Sequence, residues 1–163
     1  MAQYADFEFY QNKYYGEALT AENADRWLSR ASDELDVLTF GRLIFAFPTV
    51  EAYAEKVKKA ACAVAEALFF IDVQRKAVSA HQTEDGEYRG AVSSISSGKE
   101  SIAFSVNGSA ASAYAAAASD ESKRNALIIE VAARYLANVP DANGTNLLYA
   151  GGDPYVCRHG YFV

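Results

Sequence analysis

Histidine and cysteine are nearly missing from these 163 residues: His81, His159, Cys62 and Cys157 are all the chain has of either. No H-E-x-x-H or paired-cysteine spacing occurs, so no metal site is expected. Cys62 sits among Ala61, Ala63 and Ala65 with nothing beside it to lower its pKa. It reads as a small core hydrophobe rather than a nucleophile. Two thiols without a disulfide-framework spacing fit a reducing context. A G-x-x-x-x-G-K-[ST] phosphate loop is also missing, so neither a catalytic residue nor a cofactor site is expected, and an enzyme is not the favoured reading. Asp141-Ala142-Asn143-Gly144 begins like a calcium loop but lacks its later oxygens and distal glutamate, which leaves a turn. There is no basic excess either: 15 Lys and Arg against 21 Asp and Glu give a net charge of −6, with the two signs interspersed. That disfavours a protein that grips nucleic acid through its phosphates. No apolar run approaches the ~20 residues a bilayer span needs. The start, MAQYADFEFY, has neither the basic nor the apolar region of a secretion signal, so none is expected, and Asn107-Gly108-Ser109 and Asn143-Gly144-Thr145 carry no weight as glycosylation sites.

What the chain does have is helical periodicity. From Val50 to Lys76, the residues Tyr53, Val57, Ala60, Val64, Leu68 and Ile71 recur every three or four positions. The first half of this helix carries a polar face of Glu55, Lys56, Lys58 and Lys59. In the second half Cys62, Ala65, Phe69 and Val73 fill the side opposite the stripe, so it is expected to be covered all round. This is the long central helix of the predicted fold. Before it, Phe7, Tyr10 and Tyr14 follow helical spacing from Asp6 to Gly16 and are expected to pack their rings on the central helix. A second helix is capped by Thr20 and buries Ala24, Trp27, Leu28, Ala31, Leu35 and Leu38, ending at Gly41. Its acidic cluster, Asp33, Glu34 and Asp36, is expected to face water. The apolar connector Leu43 to Pro48 is expected to be tucked under another element.

After Ala80 the chain turns polar. Period-two alternation on both sides of Ser97-Gly98-Lys99 predicts a β-hairpin over about 92–106. Two strands alone are marginal in water, so the hairpin lies on its own helices or is completed by another molecule. The Ala- and Ser-rich stretch from Asn107 reads as a linker or the lead-in to a closing helix from about Ser119 to Asn138. That helix has an inner stripe of Leu127, Ile128, Val131 and Tyr135 and leaves Ile129 and Leu136 on a second apolar face. The fold expected is mainly α: a small bundle of four to five helices around the long central one, with one small β-hairpin insertion. It forms a single domain over 1–152, followed by a tail over 153–163.

Three stretches occur in order: Phe9-Tyr10 with Tyr14-Tyr15-Gly16; Trp27-Leu28-Ser29-Arg30-Ala31-Ser32 with Leu35-Asp36, Leu38-Thr39 and Arg42; and Ala133-Arg134-Tyr135-Leu136 with Asn146-Leu147-Leu148-Tyr149-Ala150-Gly151. Between the last two lies Ser96-Ser97-Gly98-Lys99-Glu100-Ser101-Ile102. In this order, from about Tyr4 to Gly152, the chain resembles the head-to-tail connector (head-completion adaptor) proteins of tailed double-stranded-DNA phages and prophages. The resemblance implies a structural protein without catalytic residues. Such a protein assembles as a ring of about a dozen copies under the portal, and the next connector, stopper or tail protein docks on its far side. The genome passes through without sequence-specific binding, and no membrane is involved. The implied location is the virion's head–tail junction, and the bacterial cytoplasm during assembly. For subunit and partner contacts the residues singled out are Ile95, Ile102 and Phe104 of the hairpin, Ile129 and Leu136 of the closing helix, and Leu148 and Tyr149 after it. The alternative is a helical protein-binding or regulatory module that holds a peptide on its aromatic N-terminus.

Overall fold

The computed structural model describes residues 3–78, 81–82, 88–89, 94–97, 100–103 and 113–150. Six helices lie among them: α1 (Phe7–Asn12), α2 (Ala24–Leu38), α3 (Arg42–Phe45), α4 (Glu51–Val78), α5 (Ala113–Ser119) and α6 (Glu121–Leu136). The protein is mainly helical, as its periodicity predicts. The two helices beyond expectation are short. α3 is one turn, and α5 forms where alanine, the best helix former, dominates the sequence. The hairpin expected over 92–106 falls partly outside the described residues. Within it the backbones of β1 (Ser94–Ser97) and β2 (Glu100–Ala103) run antiparallel with Ile95 opposite Ile102, while Phe104 lies outside. The tail expected over 153–163 lies outside the described residues as well.

The chain divides into two compact units, residues 1–66 with 129–163 and residues 67–128. In the first unit the N-terminal half of α4 supplies the centre. Ala60, Ala61, Cys62, Ala63, Val64 and Ala65 are buried in unbroken succession. Six residues span more than one and a half helical turns, so every side of the helix is covered there. Their small size lets neighbours pack close to the α4 backbone. α2 contributes Ala24, Trp27, Leu28, Ala31 and Leu35 to this core, and Leu19, Leu43, Val139 and Leu147 close it. A fully buried leucine is stabilised by about 1.5–3 kcal/mol over an exposed one, so this set dominates the unit's stability.

α1 is fastened to α4 by polar contacts. Asp6 caps it, accepting from Phe9 N at 2.8 Å. The buried Tyr10 hydroxyl donates to Glu66 Oε1 at 2.6 Å and accepts from Ala18 N and Leu19 N at 2.9 and 3.1 Å. Tyr14 donates to the other Glu66 oxygen at 3.2 Å. The residues before α1 strap over α2: Tyr4 N donates to Ser32 Oγ at 3.1 Å, the Tyr4 hydroxyl bonds Asp36, and the Tyr4 ring stacks on Phe47 at 5.6 Å.

In the second unit Ala67, Leu68 and Ile71 of α4, Ala117 of α5 and Ile128 of α6 are buried. The Phe70 and Tyr114 rings meet at 5.3 Å, and Arg75 Nε donates to the Ala118 carbonyl at 3.2 Å.

Several expectations are corrected. The α2 cap position is Asn23 rather than Thr20: three turn residues intervene, and the Asn23 side chain accepts back from Thr20 N at 2.9 Å. Asp36 does not face water; it is buried because Tyr4 folds over it. On α6 Ile128 is buried as expected and Leu127, Val131 and Tyr135 are half-buried, but the fully buried stripe runs Ile128, Ala132 and Leu136, spaced by four, because the small Ala132 lets that side pack closely. Leu136 is therefore core, packed within its own chain, and cannot serve as a contact for another molecule.

Candidate interaction surface

α2 ends in a local strain. Thr39 is the C-cap, and its buried hydroxyl returns to the Leu35 carbonyl at 2.8 Å. Phe40 N donates to Val37 O at 3.2 Å and Gly41 N to Asp36 O at 2.8 Å. This paired 5→2 and 6→1 closure is a Schellman ending, whose left-handed position usually holds glycine. Here Phe40 holds it, at φ 54°, and the glycine comes one residue later, at φ 74°. A left-handed bulky residue costs about 1–3 kcal/mol. The ring gains no burial in return, because Phe40 stays 61% exposed.

A second exposed aromatic is left-handed: Tyr15, three residues beyond the end of α1, lies at φ 60° just before Gly16, whose N donates to Tyr10 O at 3.0 Å. Phe40 and Tyr15 are thus both held left-handed in front of a glycine, and only Phe40 sits in a helix-closing position.

Around Phe40 the surface is apolar. Val37 is 74% exposed and Phe45 82%, and Ile44 is exposed as well. The Phe45 ring lies over Gly41, 3.7 Å from where a Cβ would stand. These four side chains are spread over nine residues, which leaves α3 amphipathic with its inner face on Leu43 and Ala46. The connector expected to be tucked away is half outside, because a one-turn helix has one face in and one face out.

The segment after α6 is anchored beside this corner. Asp141, itself buried, accepts from Asn143 N at 2.8 Å and Thr145 N at 2.9 Å through Oδ1, which shapes the turn that Gly144 completes at φ 84°. Ala142 N donates to Ala46 O at 3.0 Å. The buried Arg42 guanidinium sits 5.6 Å from the Phe40 ring centre and donates to the carbonyls of Leu147, at 3.4 Å, and Tyr149. It thereby fixes where Tyr149, exposed, and Leu148, half-buried, stand.

Of the contact residues expected from sequence, Tyr149 and Leu148 are thus brought to the α2–α3 corner. Ile129 is exposed on α6, Leu136 is buried, Ile95 and Ile102 are placed by backbone only, and Phe104 lies outside the described residues. Val37, Phe40, Ile44 and Phe45 were not singled out. The readable signal was Phe40-Gly41, an aromatic directly before the helix-ending glycine.

Among the described residues no activated chemical group stands out beside this surface. Burial first, and the Glu66 carboxylate second, push the Cys62 thiol up to about 12, which keeps it protonated and inert. Among the described residues no three His, Cys, Asp or Glu side chains gather where they could hold a metal ion. No family model matches the chain, and no curated protein or solved structure does so either.

Proposed function

We propose that the chain is a structural head–tail connector subunit of a tailed phage or prophage, and that the α2–α3 corner is one of its assembly surfaces. The observation that carries this reading is Phe40. The chain accepts a strained backbone and a largely exposed aromatic ring together, for little return within one molecule beyond the contact with Arg42, which suits a surface that another molecule covers. Val37, Ile44, Phe45 and Tyr149 enlarge it into the kind of aromatic-centred patch that dominates protein interfaces.

A ring needs two different patches per subunit, each meeting the other on the next copy. The corner is one. Ile129 on α6 and, separately, the hairpin with Ile95, Ile102 and Phe104 are the candidates for the second, the hairpin's edge strand pairing with a neighbour. Portal protein docks on one side and the next connector, stopper or tail protein on the other. The net charge of −6 lets DNA pass through the channel without being held. Among the described residues no helix is long and apolar enough to cross a membrane, in keeping with a place at the virion's head–tail junction after assembly in the bacterial cytoplasm. The peptide-holding alternative would have to rest on Tyr15, which is exposed, rather than on Tyr10, which is buried, and both Tyr10 and Tyr14 donate their hydroxyls to Glu66.

The test mixes purified protein with portal and images the product by electron microscopy. Rings are expected from the natural chain and none from Phe45→Ser, whose helical circular dichroism stays unchanged. Monomers that ignore portal at micromolar concentration refute the reading.

A further inference from the structure

The described chain leaves off at Ala150, directly after the Tyr149 carbonyl that Arg42 holds beside Phe40. Next in sequence come Gly151-Gly152 and then Asp153-Pro154-Tyr155-Val156-Cys157-Arg158-His159-Gly160-Tyr161-Phe162-Val163. Glycine pairs let a chain reverse direction at little steric cost. The eleven residues beyond them span up to roughly 36–40 Å when extended, ample for a corner that begins next to their anchor. Their apolar content, Tyr155, Val156, Tyr161, Phe162 and Val163, matches the chemistry of Val37, Phe40, Ile44 and Phe45. One charge can match as well: Arg158 is opposite in sign to Asp33, exposed one helical turn before Val37.

We propose that the segment Asp153 to Val163 docks on the α2–α3 corner of its own chain and shields it in the free subunit. Tethering favours the same chain over a neighbour, because a short flexible linker holds the segment at an effective concentration near millimolar. Its purpose, keeping copies apart until a partner displaces it, rests on the connector reading; the contact itself does not.

Cys157 lies in the middle of the segment and is the probe. Cys62 is buried and does not compete for a thiol reagent in the native protein. The full-length chain is labelled with a chromogenic disulfide reagent, alongside full-length Phe45→Ser, Phe162→Ser and the urea-unfolded chain. Native Cys157 is expected to react about tenfold more slowly than in either variant, a docking preference of about 1.4 kcal/mol. That rate is expected to be the same from micromolar to hundred-micromolar protein. Native labelling as fast as in the unfolded chain overturns the proposal, and so does protection that Phe45→Ser leaves in place. Protection that grows with protein concentration also overturns it, placing the segment on a neighbour. Portal rings formed by a chain with unprotected Cys157 sink this inference alone; protected Cys157 without rings sinks the connector reading alone.

Discussion

Removing one oxygen atom, by Tyr10→Phe, tests how α1 is held to the central helix. The Tyr10 hydroxyl donates to Glu66 Oε1 at 2.6 Å and accepts from two backbone amides, Ala18 N and Leu19 N. Phenylalanine keeps the ring and its packing, so the change isolates the polar contacts. Leu19 is buried, and its amide loses its partner where water does not reach. Glu66 is half-buried, keeps Tyr14 on its other oxygen and is partly rescued by solvent. One orphaned buried donor at about 1–3 kcal/mol, together with a weakened charge-assisted bond, gives a loss of about 2–4 kcal/mol. Trp27 is the only tryptophan and is buried, so its fluorescence reports unfolding of this unit. With a urea slope of about 2 kcal/mol per molar, the midpoint is expected to fall by about 1–2 M at unchanged slope. A cycle with Glu66→Gln then reads the coupling, expected at about 1–3 kcal/mol for residues in one network. A midpoint within experimental error of the parent refutes the argument, because it means the three bonds hold nothing that water does not replace.

The same tyrosine sets a pH dependence. Burial first, then the bond to the Glu66 carboxylate, push its hydroxyl up to about 12 from the ordinary 10. The folded state therefore keeps this proton where the unfolded chain loses it. Its stabilising contribution is complete below pH 10 and disappears between pH 10 and 12, at about 1.4 kcal/mol per pH unit. Alkaline urea titrations are expected to show at least that slope, since burial raises the Tyr4 and Tyr14 hydroxyls too, and Tyr10→Phe to make it shallower. Gly16→Ala would set a Cβ 2.1 Å from Tyr10 Cζ, so about 1–3 kcal/mol is expected to be lost by overpacking, measured by thermal melting. Leu136→Ala is expected to cost about 2–5 kcal/mol as a core truncation. Ile129→Ala, on the exposed face, is expected to leave the melting temperature nearly unchanged, and equal effects would refute the α6 orientation. Phe40→Gly is expected to raise stability by roughly 1 kcal/mol through relief of the left-handed strain, measured by thermal melting.

Periodicity made the helical skeleton readable. The central helix, the Ala24–Leu35 stripe and the all-round burial near Cys62 follow from spacing alone, because apolar residues three and four apart leave little choice of partner face. The α6 face was misread because Ala132 counts for little on a hydrophobicity scale, yet its smallness is what lets that side press inward. Asp36 looked solvated because nothing local announces that Tyr4, far upstream, will cover it. The corner at Phe40 was hidden for a related reason. Greasy connectors suggest burial, and only the backbone angles show that Phe40 is turned outward by the way α2 closes. Long-range straps and left-handed angles are tertiary facts, and single-element patterns do not contain them.

Tyr15 and Phe40 each occupy a backbone well that asparagine or glycine fills with less effort. On the proposed assembly reading, in a lineage that had lost the partner, random change at these two positions would be rewarded by a firmer fold. Both aromatics would then erode together, well before the leucines of the interior. Paired loss of the two rings, with the helices intact, would mark a retired copy of this protein and date its retirement from the genome alone.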